Sequence, residues 1–123
     1  MMDGGRPIFL QIAEQIENSV IDGSLPEESQ VPSTNELAAF HRINPATAAK
    51  GVNQLVDDGI LYKKRGIGMF VSPGAQAKLR QRRRDQFAEQ YLRPLLAEAA
   101  KLGIDGTELT SMIEQHLEKG MHR

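Results

Sequence analysis

Apolar side chains fall on a helical rhythm almost from the start of the chain. Phe9, Ile12, Ile16 and Val20, joined by Ala13 and Ile21, form one stripe, which predicts a first helix opened by Pro7 and ended by Gly23. The stretch SLPEESQVP then reads as an extended loop, with Leu25 and Val31 as its anchors into a core. Ser33-Thr34-Asn35-Glu36 matches a capping box, in which the serine side chain takes one orphan N–H and the glutamate reaches back to another. A short second helix starts there, carrying Leu37, Ala38 and Phe40, and runs into the turn His41-Arg42-Ile43.

A third helix is sharply set between Asn44, a good N-cap, and Gly59, with Pro45 at the first helical position where no N–H is needed. Its apolar face is Ala48, Val52, Leu55 and Val56; Thr47, Lys50, Asn53 and Gln54 are left to point elsewhere. Next comes ILYKKRGIGMFVS, two short apolar runs around Gly66-Ile67-Gly68, which predicts a two-stranded ribbon with a cationic end at Lys63, Lys64 and Arg65. Capped helices joined by a tight turn and followed by a basic hairpin make a winged helix-turn-helix.

Pro73-Gly74 marks a boundary. Beyond it a long helical segment carries Phe87, Tyr91, Leu95 and Leu102, widened by Ala88, Leu92, Leu96 and Ala99. Pro94 lies inside it and should cost about 3 kcal/mol unless the helix bends or breaks, so a bend is expected near Gln90. Gly103 closes the segment, Asp105-Gly106-Thr107-Glu108 is a second capping box, and a last helix follows with Leu109, Met112, Ile113 and Leu117 on one side. The fold class is therefore mainly α with a small β-hairpin: a winged helix-turn-helix over 1–73, then a two-helix dimerisation tail over 74–123. The tail has more apolar face than a small domain can cover, and unburied it would be an exposed patch. A two-fold symmetric dimer through the helices after Pro73 is the expected remedy, with Phe87, Tyr91, Leu95, Leu102, Leu109, Met112, Ile113 and Leu117 in its seam.

With 123 residues the core can be only modest, and an enzyme with its own substrate cleft is not expected. The formal net charge of −1 says nothing for or against nucleic acid, but it hides a segregated field. Cations collect at Lys63–Arg65 and again at Lys78, Arg80, Arg82, Arg83 and Arg84, while acids gather in the first helix, the loop after it and the last quarter. The absence of cysteine removes disulfides and thiolate metal sites and fits a reducing compartment. No apolar run approaches the ~20 residues of a membrane span, and MMDGGRPIFLQ lacks the apolar centre of a signal peptide, so the cytoplasm is expected. His41, His116 and His122 have no companions at ligand spacing, and no catalytic constellation or cofactor motif is present.

On an isolated helix Thr47 and Lys50 would be ordinary solvated residues; between a capped helix and a basic wing they read as groups that meet DNA. Lys63, Lys64 and Arg65 could merely protect strand edges, yet beside a Gly-x-Gly tip they suit the minor groove or phosphates. Backbone N–H groups at the starts of the second and third helices could receive phosphates as well. For the Arg80–Arg84 cluster a solvated face and a phosphate anchor stand level. A winged helix used only as a protein-interaction module is the alternative reading of the whole chain.

From Pro7 to Val71 the chain resembles the GntR-type winged-helix transcription regulators, through PIFLQIAEQI, VPSTNELA, INPATAAKGVNQLVDDGIL and KKRGIGMFV in order. Asn44-Pro45 and a tail ending in LAEAAKLGIDGTELTSMIEQ resemble the short YtrA-like branch. The resemblance implies a homodimeric repressor on a palindromic double-stranded DNA operator, with the tail for dimerisation. It implies DNA contacts from Ser33, Thr34, Asn35, Asn44, Thr47, Lys50, Arg65 and Gly66. Asn35, Ala46, Ala49 and Met69 differ from the residues usual in that family, so the operator is this chain's own. A small-molecule effector, if one is bound, would need the dimer seam or the junction of domain and tail.

Overall fold

Residues 6–121 are described by the computed structural model; most of MMDGGR, and His122, fall outside the described residues. The order of elements is α1 (Ile8–Ile21), α2 (Thr34–His41), α3 (Pro45–Asp57), β1 (Leu61–Lys64), β2 (Gly68–Val71), α4 (Ala75–Phe87), a π-helical turn (Ala88–Leu92), α5 (Arg93–Lys101) and α6 (Gly106–Met121). This is the winged helix-turn-helix expected from the pattern, with further helices after it. Contacts divide the chain into two compact units, the first reaching Arg82 and the second running from Arg83.

The first unit is built on one cluster. Ile12, Ile16 and Val20 of α1 meet Ala48, Val52 and Leu55 of α3, and Val31, Leu37, Ile60, Leu61 and Val71 complete it. Leu55, Ile60 and Val71 lose all contact with solvent, so the hydrophobic drive is concentrated where helices and hairpin join. Ala75 and Leu79 of α4 belong to the same cluster. The unit therefore continues past the Pro73-Gly74 break, because the first turns of α4 still carry apolar groups that this core covers.

Gly51 sets the distance between α1 and α3. A Cβ at that position would lie 2.6 Å from the Phe9 carbonyl oxygen, so only a residue without one allows this approach. Phe9, the first member of the predicted stripe, is half-buried there. Phe40 of α2 departs further from the core: it is 81 % exposed, its ring meeting His41 edge-on at 5.0 Å between centroids.

Both helix caps hold as expected. Ser33 Oγ accepts the Glu36 N–H at 3.0 Å, and the Glu36 carboxylate accepts the Ser33 N–H at 2.7 Å. Asn44 Oδ1 accepts the Ala46 N–H at 2.7 Å, with Pro45 in the first turn. Ser33→Ala and Asn44→Ala should each lower stability by about 1 kcal/mol, read as a shift of the urea midpoint at constant slope. Between these helices the turn is made by Arg42 in the left-handed region, φ 56°, while the Ile43 N–H returns to the Ala38 carbonyl at 3.0 Å. A non-glycine residue usually avoids that conformation, and here the closing hydrogen bond offsets the cost.

In the second unit the strain expected at Pro94 is relieved by the π turn. Arg93 N–H donates to the Ala88 carbonyl five residues back, which widens the turn just before the proline ring and its missing N–H. Asp105 then caps α6, its Oδ1 accepting the Glu108 N–H at 2.8 Å. Only Ala99 is buried among the described residues of this unit. Phe87, Tyr91, Leu102 and Leu117 are each more than half exposed, Leu95, Met112 and Ile113 are exposed to a lesser degree, and Leu109 is half-buried. No helix of the described residues is long and apolar enough to cross a membrane.

Candidate nucleic-acid interface

Helix α3 presents its polar side because its other side is used up. Ala48, Gly51, Val52 and Leu55 are buried, which leaves Lys50, Asn53 and Gln54 exposed and Thr47 half-exposed along the opposite face. The exposed Asn44 stands at its amino end. Lys50 is not adrift: its ammonium lies 4.2 Å from the centre of the Phe9 ring, a cation–π contact that gives the side chain a preferred direction.

The start of α3 has little backbone to offer an anion. Pro45 has no N–H, the Asn44 side chain takes that of Ala46, and the Asn44 carbonyl takes those of Thr47 and Ala48 at 2.9 and 3.1 Å. The expectation that both helix starts could receive phosphate through N–H groups therefore narrows to α2. There the box consumes the Glu36 N–H, and the Leu37 N–H goes to the Ser33 carbonyl; neither bond uses Thr34 or Asn35. Ser33 and Asn35 are exposed and Thr34 half-exposed.

The wing is the antiparallel pair β1–β2, with Leu61 opposite Val71 and Lys64 opposite Gly68. Lys63, Lys64, Arg65 and Gly66 are all exposed. Gly66 supplies the positive φ of the tip, and the Ile67 N–H closes the turn on the Lys64 carbonyl at 2.9 Å. Lys64 leans on aromatic surface, its ammonium 4.4 Å from the Phe70 ring centre. Tyr62 Oη donates to the Glu28 carboxylate, and that bond to the neutral phenol, first among the causes, raises the Tyr62 pKa above its ordinary value.

The stretch Glu28–Val31, which reads in sequence as extended loop anchored by Val31, runs beside β2. Glu28 N–H donates to the Val71 carbonyl, Val71 N–H to Ser29, and Val31 N–H to Met69, around an antiparallel bridge of Gln30 with Phe70. The wing is thus stiffened on its inner edge. Prolines flanking a short segment hid this, since backbone pairing leaves no side-chain rhythm to read.

The cluster after Pro73 is largely committed to structure. Arg80 and Gln76 donate to the Ile21 carbonyl at the end of α1, at 3.1 and 3.0 Å. Lys78 donates to the Asp58 carbonyl at the end of α3, and Arg82 pairs with Glu17 at 3.6 Å. Cations at helix ends take up carbonyls that the helix itself cannot satisfy. An open groove of about 1200 Å³ lies between α1, α2 and the wing, with Phe40, Ile67 and Met69 on its apolar side and Lys63 and Lys64 on its rim.

Comparison with known proteins agrees with this arrangement. The chain is similar to the HTH-type transcriptional repressor YtrA of Bacillus subtilis, with 29 % identity over 89 % of this chain and 83 % of that one. It superposes on a GntR-family regulator from Bacteroides thetaiotaomicron with a TM-score of 0.74 and 30 % identity, covering 92 % of this chain and 98 % of the other. A third similarity is to the DNA-binding domain of AraR in complex with operator ORX1, with a TM-score of 0.55 and 27 % identity over 58 % of this chain and 93 % of that one. Residues 9–71 match the family described as "Bacterial regulatory proteins, gntR family". With the helix-turn-helix, the wing and this match over the same residues, the chain belongs to the gntR family of bacterial regulatory proteins.

Proposed function

We propose that the chain is a sequence-specific DNA-binding transcriptional repressor, acting in the cytoplasm as a homodimer on a palindromic operator, by binding and not by catalysis. The observation that carries this is α3: its apolar side is buried on α1 while Thr47, Lys50 and Asn53 remain outward, in a chain that also carries an exposed basic wing. The amino half of α3 enters the major groove, where Asn44, Thr47 and Lys50 read base edges and phosphates. Ser33, Thr34 and Asn35 meet the backbone, and Arg65 and Gly66 enter the minor groove or lie on phosphates. The second unit pairs two readers through Phe87, Tyr91, Leu95, Leu102, Leu109, Met112, Ile113 and Leu117.

The rival is a winged helix that serves only as a protein-interaction module. Selection of duplexes from a random pool, followed by titration of the winners, separates the two. Lys50→Ala and Arg65→Ala should each weaken binding about tenfold and lower the slope of log affinity against log salt by about one, with circular dichroism unchanged. Failure to enrich any sequence, or equal affinity in wild type and both variants, favours the rival.

A further inference from the structure

We infer that Gln30 is a positioning residue that fixes the wing tip in the shape in which Arg65 meets DNA; this rests on the reading that the wing touches DNA. Gln30 reaches the tip from far away in sequence. Its Nε2 donates to the Ile67 carbonyl at 3.0 Å, a bond across 37 residues, while its backbone is bridged to Phe70. The next residue, Val31, is 2 % exposed and anchors the segment in the core. A continuous path therefore runs from the core through Val31 and Gln30 to the Ile67 carbonyl, two residues from Arg65.

Gly68 belongs to the same device. A Cβ there would stand 2.6 Å from Gln30 Nε2, so the amide lies in the space a side chain would fill. The glycine leaves the tip open to Gln30, and Gln30 closes it again. Besides this tie the tip is held by the Ile67 N–H bond to the Lys64 carbonyl and by the Lys64–Gly68 pair of the ladder. An uncharged amide adds no charge to the wing, and one of its two N–H groups is taken by the Ile67 carbonyl. Its contribution is to order Arg65 before DNA arrives, which removes part of the entropy cost of binding.

Gln30→Met in the full chain keeps the length of the side chain and removes the donor. In the free protein, exchange of the Ile67 amide with water, measured by NMR, should become about fivefold faster. Affinity for a duplex that the wild type has selected from a random pool should fall about fivefold. In an Arg65→Ala background the same substitution should change affinity by less than about twofold. Gln30→Asn, too short to reach Ile67, should behave like the methionine variant. Unchanged amide exchange overturns the inference, as does an equal loss of affinity in both backgrounds. Faster exchange with an Arg65→Ala protein that binds as wild type also overturns it, and there the fault lies in the reading of the wing as a DNA contact.

Discussion

Exchanging Leu95 and Ile113 together for glutamate is expected to leave the protein monomeric and to weaken its binding to a two-half-site duplex by about 10²- to 10⁴-fold. The two side chains are 43 % and 44 % exposed, and Phe87, Tyr91, Leu102 and Leu117 in the same unit are more exposed still. A monomer would keep that apolar surface in water; a pair buries it, and charge on both elements opposes the burial. The first reader bound to DNA would no longer hold the second near its half-site, and the lost term is effective concentration, not any protein–DNA contact. Helicity should fall with it, because helices lose most of their stability when the packing of an apolar face is removed. Sedimentation equilibrium and titration against single and double half-sites check the result. The first unit should keep its thermal transition, as its core cluster has no member after Leu79. A double variant that stays dimeric would mean the pairing face lies elsewhere.

The second large effect concerns Gly51. Gly51→Val should destabilise the first unit by about 3 kcal/mol, toward the upper end of the cost of overpacking, and lower its melting temperature by roughly 10–20 °C. The obstacle is the Phe9 carbonyl oxygen, 2.6 Å from where Cβ would stand; being backbone, it cannot rotate away as a flexible side chain would. Gly51→Ala meets the same oxygen with fewer atoms, and alanine also gains about 1 kcal/mol of helix propensity over glycine, so its loss should be smaller. Calorimetry of the two variants tests the order. If valine were tolerated, the close approach of α1 and α3 would not be what holds α3 in place.

Local chemistry was the legible part of this chain. Ser33, Glu36, Asn44 and Pro45 announce where two helices start, because a cap is a bond between near neighbours. The stripes in α1 and α3 name their buried sides for a similar reason. Relations between distant segments were not legible. Nothing around Gly51 says that Phe9 will lie against it, and nothing in EESQVP says that its backbone will pair with β2. The basic cluster illustrates the limit for charge: Lys78, Arg80 and Arg82 look like a surface patch in one dimension, and become partners of Asp58, Ile21 and Glu17 respectively only once the helices meet. For the residues proposed to face DNA the pattern indicates which side of α3 is outward, and the cation–π seat of Lys50 on Phe9 appears only with the fold.

The π turn at Ala88–Leu92 has a consequence for the angular phase of the tail. In an uninterrupted α-helix, Phe87 and Leu95 would be about 80° out of line, since each residue advances roughly 100°. A π turn absorbs one residue, so the interval advances like seven residues and the mismatch shrinks to roughly 20°. The irregularity brought by Pro94 thus works as a rotational correction that lines up greasy groups on either side of it.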